Sequence, residues 1–190
     1  SYYLELERQF IETKRYVEFS SDNDKAYSVE YLKLYQAICS EIDVVGKEIA
    51  SDVVPGFKAD SNTNIKKWGF NFQKVFGAIK DSEVEFDELY VVKPFENWEY
   101  EEYDKRLPNG KMGKDLRIVG QKTTIVWWRN YNDVKHQRIG LVSGKKNFQL
   151  ANQKNVVLSL AALFLLEWTY MNHINTSGDD IESSQLFSVK

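Results

Sequence analysis

The sequence predicts a mainly α fold, a helical bundle of four to five helices with a small β-hairpin or irregular insertion. Three observations lead there. Tyr31, Leu34, Tyr35, Ile38, Ile42, Val45 and Ile49 recur at steps of three and four, the period of one buried helix face. Residues 156–166 are apolar on nearly every side, as in a helix enclosed by its neighbours. Between residues 84 and 119 the helical period gives way to alternation and turn residues.

In chain order, residues 4–19 read as a first helix with Leu6, Phe10, Ile11 and Val17 as its apolar set, ended by the loop Ser20-Ser21-Asp22-Asn23. The second helix covers about residues 25–51. Cys39 lies on the margin of its apolar stripe, the place of a small buried hydrophobe rather than a reactive thiol. Pro55-Gly56 closes this region, and the polar residues 60–64 supply caps for a third helix reaching about residue 80. Its core set is Ile65, Trp68, Phe72, Val75, Phe76 and Ile79. Gly69 and Gly77 lower its helix propensity, so either close packing lets the helix tolerate them or the helix is shorter than its period suggests.

The insertion spans about residues 81–122. Val84-Glu85-Phe86 alternates, Tyr90-Val91-Val92 is β-prone, Pro94 and Pro108-Asn109-Gly110 punctuate, and residues 116–119 offer a partner strand. A fourth helix follows over residues 123–138, with Thr123 or Thr124 as its cap, and Gly140 and Gly144 part it from a last helix over residues 146–173. One domain therefore covers residues 1–174, and residues 175–190 read as a polar, mobile tail.

Composition sets further bounds. Of the 190 residues 43% are hydrophobic and 14% aromatic, which points to a core built on Trp, Tyr and Phe. Cys39 is the one cysteine, which excludes an intrachain disulfide and a multi-cysteine zinc site and fits a reducing compartment, so a cytoplasmic location is expected. Residues 1–10 carry no apolar signal, and the apolar run over residues 156–168 is shorter than the ~20 residues of a spanning helix, so no membrane role is expected. The net charge of −3 hides two blocks: residues 81–104 hold ten acids and one base, a local −9, and residues 105–146 hold eleven bases and two acids, a local +9. The basic block suits an anionic ligand, unless the acidic block folds over it.

Familiar catalytic patterns are missing. Gly140 to Lys146 imitates a phosphate loop but is one residue short and lacks the hydroxyl residue after lysine; no His-Glu-x-x-His, cysteine pair or Gly-x-Ser-x-Gly occurs. What remains is the helix Trp127-Trp128-Arg129-Asn130-Tyr131-Asn132-Asp133-Val134-Lys135-His136. At about 100° per residue, Trp127, Tyr131 and Val134 fall on one face and Arg129, Asn132, Asp133 and His136 on the other. A fixed cation, an imidazole, a carboxamide and a carboxylate thus share one stripe. Any helix packed on a core has such a polar face, and the spacing alone does not separate the two meanings. His136 is one of two histidines, the side chain suited to proton transfer near neutral pH. The other, His173, falls at a helix C-terminus, where the helix dipole favours it.

Arg129, separated from His136 by six residues of which Asn130 is the first, resembles the R-x4-6-H motif of the HEPN superfamily, helical domains named for higher eukaryotes' and prokaryotes' nucleotide binding. The resemblance runs from residue 123 to 173 and is topological over the N-terminal helices. It implies a four- or five-helix bundle, metal-independent endoribonuclease activity with no cofactor, a site assembled at a homodimer interface, and a setting in toxin–antitoxin or phage defence with a cognate antitoxin or regulatory protein as partner. RNA would be the substrate. The residue types agree: cleavage needs a proton acceptor, a proton donor and a cation for the phosphorane charge, roles open to His136 and Arg129. Asn130, Asn132, Asp133 and Lys135 would support the site or contact RNA. A non-catalytic HEPN-like nucleotide- or protein-binding module and a purely structural bundle are the alternatives.

Overall fold

A computed structural model of the chain describes residues 2–120, 125–142, 144–174 and 181–190. Its α-helices are α1 (Tyr2–Glu12), α2 (Val29–Val53), α3 (Ile65–Phe76), α4 (Val126–His136) and α5 (Gln153–His173). The chain is mainly α, as the apolar periods predict. Helix α2 packs against each of the other four, and α5 lies along it. The stripe read from the sequence is the one buried: Tyr31, Leu34, Tyr35, Ile38, Ile42 and Ile49 are at most 4% exposed. Cys39 is fully enclosed beside them, and burial pushes its thiol pKa well up.

Helix boundaries differ from the sequence reading where local capping chemistry intervenes. Helix α1 stops at Glu12 and continues as a 3-10 turn to Arg15 rather than to residue 19, although Phe19 still reaches the core and stacks on Phe10. Helix α2 begins four residues later than expected because Ser28 caps it, its hydroxyl accepting from the Tyr31 amide. Asn64 caps α3 by accepting from the amides of Lys66 and Lys67. Both glycine explanations hold. A β-carbon at Gly69 would stand 2.6 Å from the Trp98 ring, so close packing demands glycine there, and at Gly77 α3 ends and a 3-10 turn to Asp81 begins. Helix α5 starts at Gln153, with the Asn152 side chain accepting from the Asn155 amide, because residues 145–146 are a short strand and residues 147–150 a 3-10 turn.

The insertion is more ordered than a single hairpin. Strands β1 (Val84–Phe86) and β2 (Tyr90–Val92) form one antiparallel pair, β3 (Tyr100–Arg106) and β4 (Met112–Ile118) a second, and β5 (Leu141–Val142) and β6 (Lys145–Lys146) a third. The β5–β6 pair is what the phosphate-loop imitation forms.

The expectation of a mobile tail over residues 175–190 is overturned for its second half. Strand β7 (Phe187–Val189) joins the other edge of β1, giving the order β2-β1-β7, and Ile181, Leu186 and Phe187 are at most 5% exposed. Glu7 holds this segment. Its buried carboxylate accepts from the Tyr3 and Ser184 hydroxyls and from the amides of Gln185 and Leu186. Residues 175–180 lie outside the described residues.

By length and composition α5 is a helix that would cross a membrane, contrary to the shorter apolar run counted in the sequence. In this fold its residues from Val156 to Leu166 are buried, Leu158 partly, against the other elements.

Candidate functional site

Helix α4 is built on its aromatic face. Trp127, Trp128, Tyr131 and Val134 are each at most 7% exposed. Two hydrogen bonds fix the helix's rotation: the Trp127 indole Nε1 donates to the Pro94 carbonyl at 2.7 Å, and the Tyr35 hydroxyl donates to the Trp127 carbonyl. Phe95 meets the Trp127 ring edge-on, and Tyr35 meets Tyr131 in the same way. With this face pinned to α2 and the 93–98 loop, the opposite face has nowhere to go but solvent. Thr123 and Thr124, expected as caps, lie outside the described residues; α4 opens at Ile125 without a side-chain cap.

The far end of α4 is closed by a residue the sequence reading passed over. Asn147 is 1% exposed, and its Nδ2 donates to the carbonyl of Gln137 at 2.9 Å and of Asp133 at 3.4 Å. Its own amide donates to the Gly140 carbonyl, and Phe148 donates to that of Arg138. These bonds add to the backbone bonds from Gln137 to Asp133 and from Gly140 to Gln137, and so hold the turn after His136. No local pattern announces such a cap, because the asparagine stands ten residues downstream.

The structure sorts the predicted residues into three groups. Arg129 and His136 are exposed on the same side of α4, seven residues and hence about 10 Å apart along its axis. Asp133, partly exposed, stands beside them. Asn132 and Lys135 lie on one flank, where both line a cleft between α2, the start of α3 and α4; the Lys135 ammonium sits 5.5 Å from the Tyr131 ring centroid. Asn130 is turned about 100° from Arg129, onto the other flank, and is thereby separated from the stripe.

Charge is redistributed by the fold. Glu101 and Asp104 on β3 face Arg117 and Lys114 on β4 in register and form salt bridges with them, and Lys105 pairs with Asp115. Lys105 and the Leu116 amide hold Asp115 down at a pKa of about 2. Three cations of the +9 block are therefore spent within the hairpin. Among the described residues Arg129, Lys135, His136 and Arg138 form no salt bridge, so positive charge is left to a ligand at α4 and the turn after it, as it is at Arg106 and Lys111 near the hairpin tip.

Larger cavities flank this stripe without including it. One of 520 Å³ takes Ile125, Val126 and Trp127 from α4, and the cleft just described, of 420 Å³, takes Trp128, Tyr131, Asn132 and Lys135. Neither is lined by Arg129 or His136. The segment that follows α4 carries two large apolar side chains in solvent, Ile139 at 88% and Leu141 at 68% exposure. Among the described residues no group of three or more histidine, cysteine, aspartate or glutamate side chains is placed to hold a metal ion. No protein-family model, no curated protein and no solved structure matches this chain.

Proposed function

We propose that this chain is a metal-independent endoribonuclease of HEPN type, acting in toxin–antitoxin or phage defence in the cytoplasm, with its five helices read as that superfamily's bundle. The observation that carries the reading is the pair Arg129 and His136, exposed on one side of α4 and free of salt bridges among the described residues. In this scheme His136 takes the proton of a ribose 2′-hydroxyl, whose oxygen attacks the adjacent phosphorus. Arg129 balances the charge that builds on the phosphorane, and the 5′-oxygen leaves with a proton from a second acid. The products are a 2′,3′-cyclic phosphate and a 5′-hydroxyl.

The second acid is absent from one copy of the stripe, so the proposal includes a two-fold homodimer in which the partner's copy of the helix supplies it. Ile139 and Leu141, exposed in the segment that follows His136, fit the apolar part of such an interface. A cognate antitoxin or regulatory protein would cover the same face.

The test is total RNA incubated with the protein and a chelator. Wild type should cut it, and Arg129→Ala and His136→Ala should each lose at least ~10²-fold in rate. Cleavage that persists in both variants, or that chelator abolishes, would falsify the mechanism. One observation favours the runner-up, a non-catalytic HEPN-like nucleotide- or protein-binding module: among the described residues nothing orients the His136 imidazole, as a general base ordinarily requires. RNA binding without cleavage at any pH would select that reading.

A further inference from the structure

The cleft beside the α4 stripe has a chemistry of its own. Trp128 and Tyr131, with ring centroids 5.2 Å apart, give it an apolar floor. Lys135 stands at one rim and Lys66, in the first turn of α3, at another; both are exposed and neither forms a salt bridge among the described residues. Lys47 also lines the cleft, but its charge is met by Asp43, whose other oxygen accepts from the Trp68 indole at 3.0 Å. That acid is thus already engaged. Lys66 is within electrostatic reach of Asp115, which is itself bound by Lys105. Asn132 offers a carboxamide with both donors and an acceptor, and Ser40 an exposed hydroxyl. The volume, 420 Å³, lies within the range of about 300–1,000 Å³ usual for small-ligand sites.

An apolar floor, two ammonium groups without salt bridges among the described residues and a carboxamide in one cleft match a ligand that is planar at one end and anionic at the other. We propose that this cleft binds a nucleoside monophosphate, its base against Trp128 and Tyr131 and in reach of Asn132, its phosphate between Lys66 and Lys135. Lysine serves here as a point charge for phosphate, and the amide reads the edge of an unstacked base. Binding of the mononucleotide does not depend on the ribonuclease reading. Its use does: as a subsite, the cleft holds one unpaired nucleotide of the strand a helical step from His136, which selects single-stranded or loop RNA.

Isothermal titration of the full chain with adenosine 5′-monophosphate and uridine 5′-monophosphate tests the proposal, with adenosine and inorganic phosphate as separate arms. The monophosphates should bind more tightly than either fragment. Lys66→Glu should weaken them at least ~10-fold, the loss of one charge-assisted contact, with an unchanged melting curve. Lys154→Glu, in the 520 Å³ cavity, should leave affinity unaltered. If Lys66→Glu folds poorly, Lys66→Ala should show the same direction. Absence of binding at millimolar nucleotide, equal affinity for phosphate and monophosphate, or indifference to the Lys66 variants overturns it. Nucleotide binding without RNA cleavage refutes the ribonuclease and spares the cleft, and cleavage without nucleotide binding does the reverse.

Discussion

Trp127 and His136 share a helix and differ in everything their surroundings do to them. Trp127 is 2% exposed, bonded through its indole to Pro94 and through its carbonyl to Tyr35. His136 projects into solvent with no salt bridge among the described residues. Trp127→Ala should therefore cost ~3–5 kcal/mol, and His136→Ala well under ~1 kcal/mol. Urea melts of the two variants give the comparison. Equal, large losses would mean that His136 is a structural residue and that the stripe does no chemistry.

At the scale of the element, α3 shows how a weak helix former is retained because of what crosses it. A methyl at Gly69 would meet the Trp98 ring at 2.6 Å and the Tyr100 ring at 2.8 Å. Intrinsic propensity favours Gly69→Ala by ~1 kcal/mol, but overpacking against two enclosed rings costs about 1–3 kcal/mol. A net loss of stability is expected, with a lower urea midpoint and an unchanged m-value. A gain would show that the 98–100 segment yields easily. Helix α4 depends in a comparable way on Asn147, whose single amide serves two of its final carbonyls.

At the scale of the molecule, two contacts distant in sequence matter most. Glu7 ties α1 to residues 184–186 by accepting from a hydroxyl and two amides, so Glu7→Ala leaves buried donors unanswered and should cost at least ~2 kcal/mol. Glu7→Gln, which keeps one acceptor oxygen, should lose less. Hydrogen exchange at residues 187–189 is the decisive readout, since protection there should fall in Glu7→Ala before the rest of the protein opens. The second is the contact between copies that the proposed mechanism includes. If Ile139 and Leu141 form the apolar part of a homodimer, the Ile139→Glu, Leu141→Glu double variant should shift light scattering from dimer to monomer, change monomer stability little, and abolish RNA cleavage. A wild-type chain that stays monomeric at tens of micromolar would leave the acid–base scheme without its proton donor.

What the sequence by itself determined is whatever obeys a local period: the mainly α class, the buried faces of α2, α3 and α5, save for Val75 of α3, which was expected in the core and is 41% exposed, and the division of α4 into an aromatic face and a stripe bearing Arg129 and His136. Helical geometry couples neighbours three and four apart, so those faces are legible without knowing what they touch. Element ends were less legible, because Ser28 and Asn152 compete as caps with residues that the apolar period alone would include. Tertiary structure alone decided the rest. It placed β7 beside β1, bound Glu7 to residues nearly the whole chain away, spent three bases of the +9 block on the acids of their own hairpin, and brought Lys66 near Asn132. Each of these joins groups far apart in sequence, and such contacts carry no periodic signal; they exist only once packing has chosen which elements lie side by side.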